Sequence, residues 1–110
     1  MLVYKILRAD EWAALQQAGE TAGAPVDVAD GYVHLSTAEQ APGTAAKHFA
    51  GADGLMLLTL EASRLAPLRW EVSRGGQEFP HLYGPLRLAD VQRAVPLPRG
   101  PEGHDFTGLL

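Results

Sequence analysis

Cysteine is absent from the 110 residues, which excludes disulfides, thiolate catalysis and cysteine-based zinc sites. Aromatic residues are sparse at 7%, so any segment that gathers them stands out. Positive charge is in the minority: 9 Lys and Arg stand against 13 Asp and Glu, for a net charge of −4. A dedicated binder of duplex DNA usually presents a basic face, so that class is set aside. A nucleotide or other small anionic ligand in one locally positive pocket stays compatible. Long apolar runs are missing as well. The longest, Leu55–Leu58 with Leu60, falls far short of the ~20 residues a membrane-spanning helix needs. The start, Met1-Leu2-Val3-Tyr4-Lys5, is too short and mixed for a signal peptide, so a cytoplasmic location is the expectation. No Gly-x-Ser-x-Gly elbow occurs, which argues against an α/β-hydrolase.

What is present fits one domain, with 46% hydrophobic and 20% charged residues close to the globular average. Val3–Leu7 reads as a strand. Asp10 is the expected N-cap of a short helix carrying Trp12, Leu15 and Ala18, with Gly19 as its stop. Glu20–Ala29 reads as loop, marked by Gly23, Pro25 and the pair Asp27 and Asp30. In Gly31–Ser36, Val33 and Leu35 alternate with Tyr32, His34 and Ser36, the period of a strand with one buried and one polar face.

Ser36…Glu39 and Thr37…Gln40 both have capping-box spacing, so a helix is expected to start there and run to Gly51, kinked or split at Pro42-Gly43. Leu55–Glu61 is apolar enough for a central strand. Arg69–Val72 is a further strand and Ser73–Gly76 a turn. Phe79–Tyr83 is expected at a sheet edge, because Pro80 cannot donate to a central ladder. Leu88–Asp90 reads as a turn and Val91–Leu97 as the last strand. Residues 1–97 form the expected domain, and 98–110 a loosely held tail rich in Gly and Pro. Early helices and late strands suit an α+β domain.

Two segments carry the candidate chemistry, Gly31–Thr37 and Trp70–Tyr83. His34 shares a strand face with Tyr32 and Ser36, a set able to hold a ribose and stack a ring. Glu71 is a carboxylate that could orient a sugar hydroxyl or stabilise a cation; its plainer reading is a surface partner of Arg69 or Arg74. Arg74-Gly75-Gly76 offers a forked donor and approachable backbone N–H groups for an anion, as an ordinary turn also does. Phe79, His81 and Tyr83 share a face. A metal held by His34 and His81 has no fixed ligand spacing behind it. His48 reads as a surface residue.

These motifs together resemble a bacterial family of unknown function, numbered 952. The resemblance rests on Tyr4-Lys5-Ile6, on Val26-Asp27 with Asp30-Gly31-Tyr32-Val33-His34-Leu35-Ser36-Thr37-Ala38-Glu39-Gln40, on Trp70-Glu71 with Ser73-Arg74-Gly75-Gly76, and on Phe79-Pro80-His81-Leu82-Tyr83-Gly84-Pro85-Leu86. It covers about residues 3 to 97. The family is in turn similar to the ADP-ribosyltransferase superfamily, nearest to the catalytic lobe of RNA 2′-phosphotransferases, whose His-x-His-Leu-Ser strand Val33-His34-Leu35-Ser36 resembles.

The resemblance implies a split, bent, mostly antiparallel β-sheet with two or three short helices and an NAD-type cleft. It implies His34 as a catalytic residue, with Glu71 the candidate for the superfamily's late catalytic glutamate. Ligand contacts would fall to Tyr4 and Lys5 on the first strand, to Tyr32, Ser36 and Thr37 around His34, and to Trp70, Arg74, Gly75, Gly76, Phe79, His81 and Tyr83 in the second segment. Tyr4-Lys5-Ile6 departs from the His-Gly or Arg-Gly of the superfamily: Lys5 replaces the cation, but the glycine is lost. Three functions follow: an enzyme acting on NAD or another ADP-ribosyl-type nucleotide, a binding module without catalysis, and an interaction protein in which His34 and Tyr83 only pack. One cleft shared by His34, Glu71, Arg74 and Tyr83 is the expectation that joins the two segments.

Overall fold

The chain begins on a strand, β1 (Leu2–Leu7), which runs into helix α1 (Ala9–Ala18). The computed structural model describes residues 1–110, the side chain of Arg74 excepted. The N-cap of α1 is Arg8 rather than Asp10, because Glu11 reaches back to accept from the Arg8 N–H at 2.8 Å and draws Asp10 into the first turn. Gly19 closes the helix at φ +83°, in the left-handed region glycine occupies without strain.

The segment expected to be loop is partly regular. It holds a two-residue strand, β2 (Glu20–Thr21), and a helix, α2 (Pro25–Asp30). Pro25 opens α2, where a missing N–H costs nothing, and Gly31 ends it.

Strand β3 is short (Val33–His34), and Ser36 forms one further bridge to Tyr4. The Thr37…Gln40 box does form: Gln40 Oε1 accepts from Thr37 N at 3.1 Å and Thr37 Oγ1 from Gln40 N at 3.2 Å. It shapes a turn ahead of helix α3 (Ala41–His48), so Pro42 falls in the first helical turn and neither kinks nor splits the helix.

Strand β4 (Leu55–Glu61) follows, then β5 (Leu68–Val72), β6 (Glu78–Leu82), β7 (Leu86–Arg87) and β8 (Val91–Leu97). Residues 98–110, expected as a tail, carry regular structure. They form a hairpin of β9 (Arg99–Gly100) and β10 (Gly103–His104), in which Arg99 grips Asp53 with two hydrogen bonds and His104 Nε2–H donates to Ala52 O at 2.8 Å.

Every ladder is antiparallel. One three-stranded sheet runs β1-β4-β8 and another β3-β6-β5, joined where Tyr4 and Ser36 exchange backbone bonds of 2.7 and 2.9 Å. The fold is thus α+β, a split antiparallel sheet with three short helices. β4 is central and buries both faces. Leu58 and Leu60 pack with Leu15, Val33 and Leu82, while Leu55 and Leu57 pack with Tyr4, Ala45 and Leu97. Each such leucine contributes about 1.5–3 kcal/mol, which is why the strand is apolar from Leu55 to Leu58 and again at Leu60.

Strand β6 is central too, against the expectation of an edge. Pro80 O accepts from Leu35 N at 3.0 Å, so its backbone faces β3, where strand pairing has already stopped at His34–His81. The missing N–H therefore breaks no ladder bond. Among the described residues no helix is long and apolar enough to cross a membrane.

Candidate functional site

The register places His34 directly opposite His81, and His81 opposite Arg69. Paired residues share a sheet face, so these side chains stand side by side, with Tyr32, Glu71 and Tyr83 around them. The rings touch in series. Tyr32 stacks on His81 at 4.1 Å and 19°, lies 4.6 Å from His34 and 5.1 Å from Tyr83, and the two histidine rings meet edge-on at 5.5 Å.

Each histidine has a carboxylate on Nδ1. For His34 it is Asp27, on α2, with Oδ1 accepting from Nδ1 at 2.5 Å and from the His34 N–H at 3.0 Å. Asp27 Oδ2 accepts from Lys5 Nζ and from Ala24 N, both at 2.8 Å, and Lys5 also donates to the His34 carbonyl at 3.0 Å. The Asp27 side chain is fully buried and Lys5 nearly so. Burial opposes the charge of Asp27, but the His34 hydrogen bond and the Lys5 ammonium outweigh it and hold the carboxyl at about 2. An ionised Asp27 can only accept, so the proton sits on His34 Nδ1. Nε2 meets Asp30 Oδ2 at 3.0 Å.

For His81 the partner is Glu71, whose Oε1 accepts from Nδ1 at 2.8 Å and from Tyr83 OH at 2.6 Å. The Tyr83 bond first and the His81 bond second lower the Glu71 carboxyl below its ordinary range, and the same contact raises the Tyr83 phenol. Burial, then the nearby Asp30, Glu71 and Asp27 carboxylates, raise the Tyr32 phenol.

Two clefts adjoin this cluster. The main one has a volume of about 430 Å³, with apolar walls that include Tyr4, Ile6, Leu35, Phe49 and Phe79 and polar groups that include Asp30, His34, Ser36, Lys47 and His81. The second, about 460 Å³, is lined by Glu20, Val28, Tyr32 and Tyr83 among others. Asp27 contributes to both, and the ring series forms the partition between them.

The expected residues therefore divide. Tyr4, Lys5, His34, Ser36, Phe79 and His81 line the main cleft; Tyr32 and Tyr83 line the second. Glu71, Thr37, Trp70, Gly75 and Gly76 line neither, and Glu71 reaches the cluster only through His81 and Tyr83. A single cleft shared by His34, Glu71 and Tyr83 is thus replaced by two clefts with a common wall. The Arg74 side chain lies outside the described residues. Thr37 spends its hydroxyl on the turn before α3, and Trp70 sits on the opposite face of β5 from Glu71. Sequence reasoning assigned no site role to Lys47 and Phe49, nor to Asp27 and Asp30, although both acids stand in the family motif. The signal for Asp27 was the pair Pro25 and Gly31, which brackets a short helix and puts Asp27 at its third position.

The chain is thus an antiparallel α+β domain with a histidine fixed by a buried carboxylate at a cleft. The chain belongs to the family described as a protein of unknown function (DUF952), which it matches over residues 6–94. It is similar to the crystal structure of protein CC0527 from Caulobacter crescentus, at 47% identity and a TM-score of 0.93, covering 97% of this chain and 96% of that one. The solution NMR structure of CC0527 is similar at 49% identity and a TM-score of 0.83, covering 94% and 90%. No curated protein matches the chain.

Proposed function

We propose that this chain binds an ADP-ribosyl-type nucleotide, such as NAD, in the main cleft, with His34 acting at the ribose. The observation that carries the reading is the geometry of His34: buried Asp27 fixes Nδ1, and Nε2 meets exposed Asp30 on a ring that lines the cleft. His34 and Asp30 offer groups for sugar hydroxyls. Tyr4, Phe49 and Phe79 offer apolar walls for a base or nicotinamide ring, and Lys47 supplies positive charge for a phosphate. The cleft volume falls within the ~300–1,000 Å³ usual for small-ligand sites. Glu71 serves as a positioning residue for His81 rather than touching the ligand.

A second reading, binding without turnover, is favoured by Lys5. The cation standing where the superfamily carries His or Arg is 6% exposed and already committed to Asp27 and the His34 carbonyl. It has little to give a phosphate.

Thermal melts with NAD and with ADP-ribose test the binding. Ligand at about 100 times its Kd stabilises by about 2.7 kcal/mol, and NMR shifts are expected around His34 and Asp30, both lost in His34→Ala. No melting shift and no perturbation at millimolar ligand would sink the proposal. Nicotinamide release separates the two readings: release supports the enzyme, and tight binding without release supports the module.

A further inference from the structure

Strand β5 is the outer strand of its sheet. Its sequence, Leu68-Arg69-Trp70-Glu71-Val72, is self-complementary when reversed. We propose that two copies of this chain pair through their β5 edges, antiparallel about a two-fold axis at Trp70, so that two three-stranded sheets become one of six strands.

Backbone parity supports this register. Because Pro80 turns its backbone toward β3, its cross-strand partner Trp70 occupies a non-hydrogen-bonded pair and points its own N–H and C=O away from β6. Leu68 and Val72, two residues on either side, point the same way. Two β5 strands centred on Trp70 then exchange bonds between the two Trp70 residues and between Leu68 and Val72 at both ends. This is the hydrogen-bonded pairing that an open edge invites.

Side chains select the same register. Centring on Trp70 sets Arg69 of one copy opposite Glu71 of the other, twice per dimer. Centring on Arg69 or Glu71 sets like charges face to face, which is destabilising, and centring on Leu68 or Val72 leaves half of each strand unpaired. Both bonds that Glu71 makes fall on Oε1; among the described residues Oε2 has no partner and is open to the incoming Arg69. On the opposite face, Trp70 is 37% exposed and Val72 69% exposed, and the pairing sets Trp70 beside its copy and Val72 beside Leu68 in one apolar band. An isologous contact of this kind closes at two subunits.

Sedimentation velocity from micromolar to millimolar protein tests the proposal, with a dimer expected. Arg69→Glu alone and Glu71→Arg alone each replace two attractive contacts with two repulsive ones, and each is expected to weaken association about tenfold or more. An equimolar mixture of the two variants restores complementary charges and should recover the dimer. Hydrogen exchange of the unmodified chain gives a readout that needs no variant. The Trp70 amide should slow with protein concentration, while the Arg69 and Glu71 amides, already bonded to β6, should not change. A wild-type chain that stays monomeric at millimolar concentration, a mixture no tighter than its components, or a Trp70 amide indifferent to concentration would each overturn it.

Discussion

Replacing Asp27 by Asn tests the arrangement on which the candidate site rests. The carboxylate accepts from Lys5 Nζ, Ala24 N, His34 N and His34 Nδ1 with no solvent access. Asn keeps the shape but removes the charge, and its amide puts two donors where only acceptors fit. The Lys5 ammonium is left buried without a counter-ion. Removing one member of a buried pair costs about 3–5 kcal/mol, a large share of the ~5–15 kcal/mol typical of a whole domain. With a urea m-value of roughly 1–2 kcal/mol/M, the unfolding midpoint of Asp27→Asn should drop by about 1.5 M or more. Lys5→Met should cost less, because three donors to Asp27 remain. In the double variant the losses should fall short of additive by at least about 1 kcal/mol. A loss under about 1 kcal/mol for Asp27→Asn, or additive losses, would refute the account of this pair as what holds β1, α2 and β3 together.

Acid should reach the same residue. Asp27 is lowered from 3.8 to about 2, so its contribution is fully present above pH ~4 and is lost as pH falls toward ~2. That amounts to about 2 kcal/mol, and unfolding free energies from urea melts across this window should fall in the wild type by that much more than in Asp27→Asn. Two glycines should respond differently to alanine. At Gly31, φ is +86° and an added methyl meets nothing within 4 Å, so Gly31→Ala should cost only the backbone term of about 1–2 kcal/mol. At Gly23, φ is +101° and the methyl would run into the buried Asp27 carboxylate; Gly23→Ala should cost at least about 2 kcal/mol more, read from the same melts.

The legible parts of this fold are those in which one strong local pattern met no competitor. Leu55–Glu61 and Val91–Leu97 are strands with the expected limits, and the alternation of Val33 and Leu35 marks their buried face. Pro80 misled because proline removes a ladder bond only when its nitrogen faces a paired neighbour, and that depends on where β3 stops. Asp27 stood in the family motif without a role, because α2 has six residues, too few for a hydrophobic period to reveal the helix that aims it. The histidines were legible as candidates. Their carboxylate partners were not, since these depend on which side chain reaches which ring across 7 residues for His34 and 10 for His81.

The brevity of α2 also bears on how the molecule opens. A helix of six residues does not hold itself in water, since isolated helices shorter than about 12–15 residues are marginal, and Val26 and Val28 on this one face solvent. What secures α2 is Asp27, through Lys5 on one side and His34 on the other. Fraying of this single turn and a half would therefore unlatch several things at once: the imidazole loses its fixed proton, the ammonium gains water, and the wall common to both cavities gives way. A substitution that loosens α2 should therefore change the histidine and both clefts together.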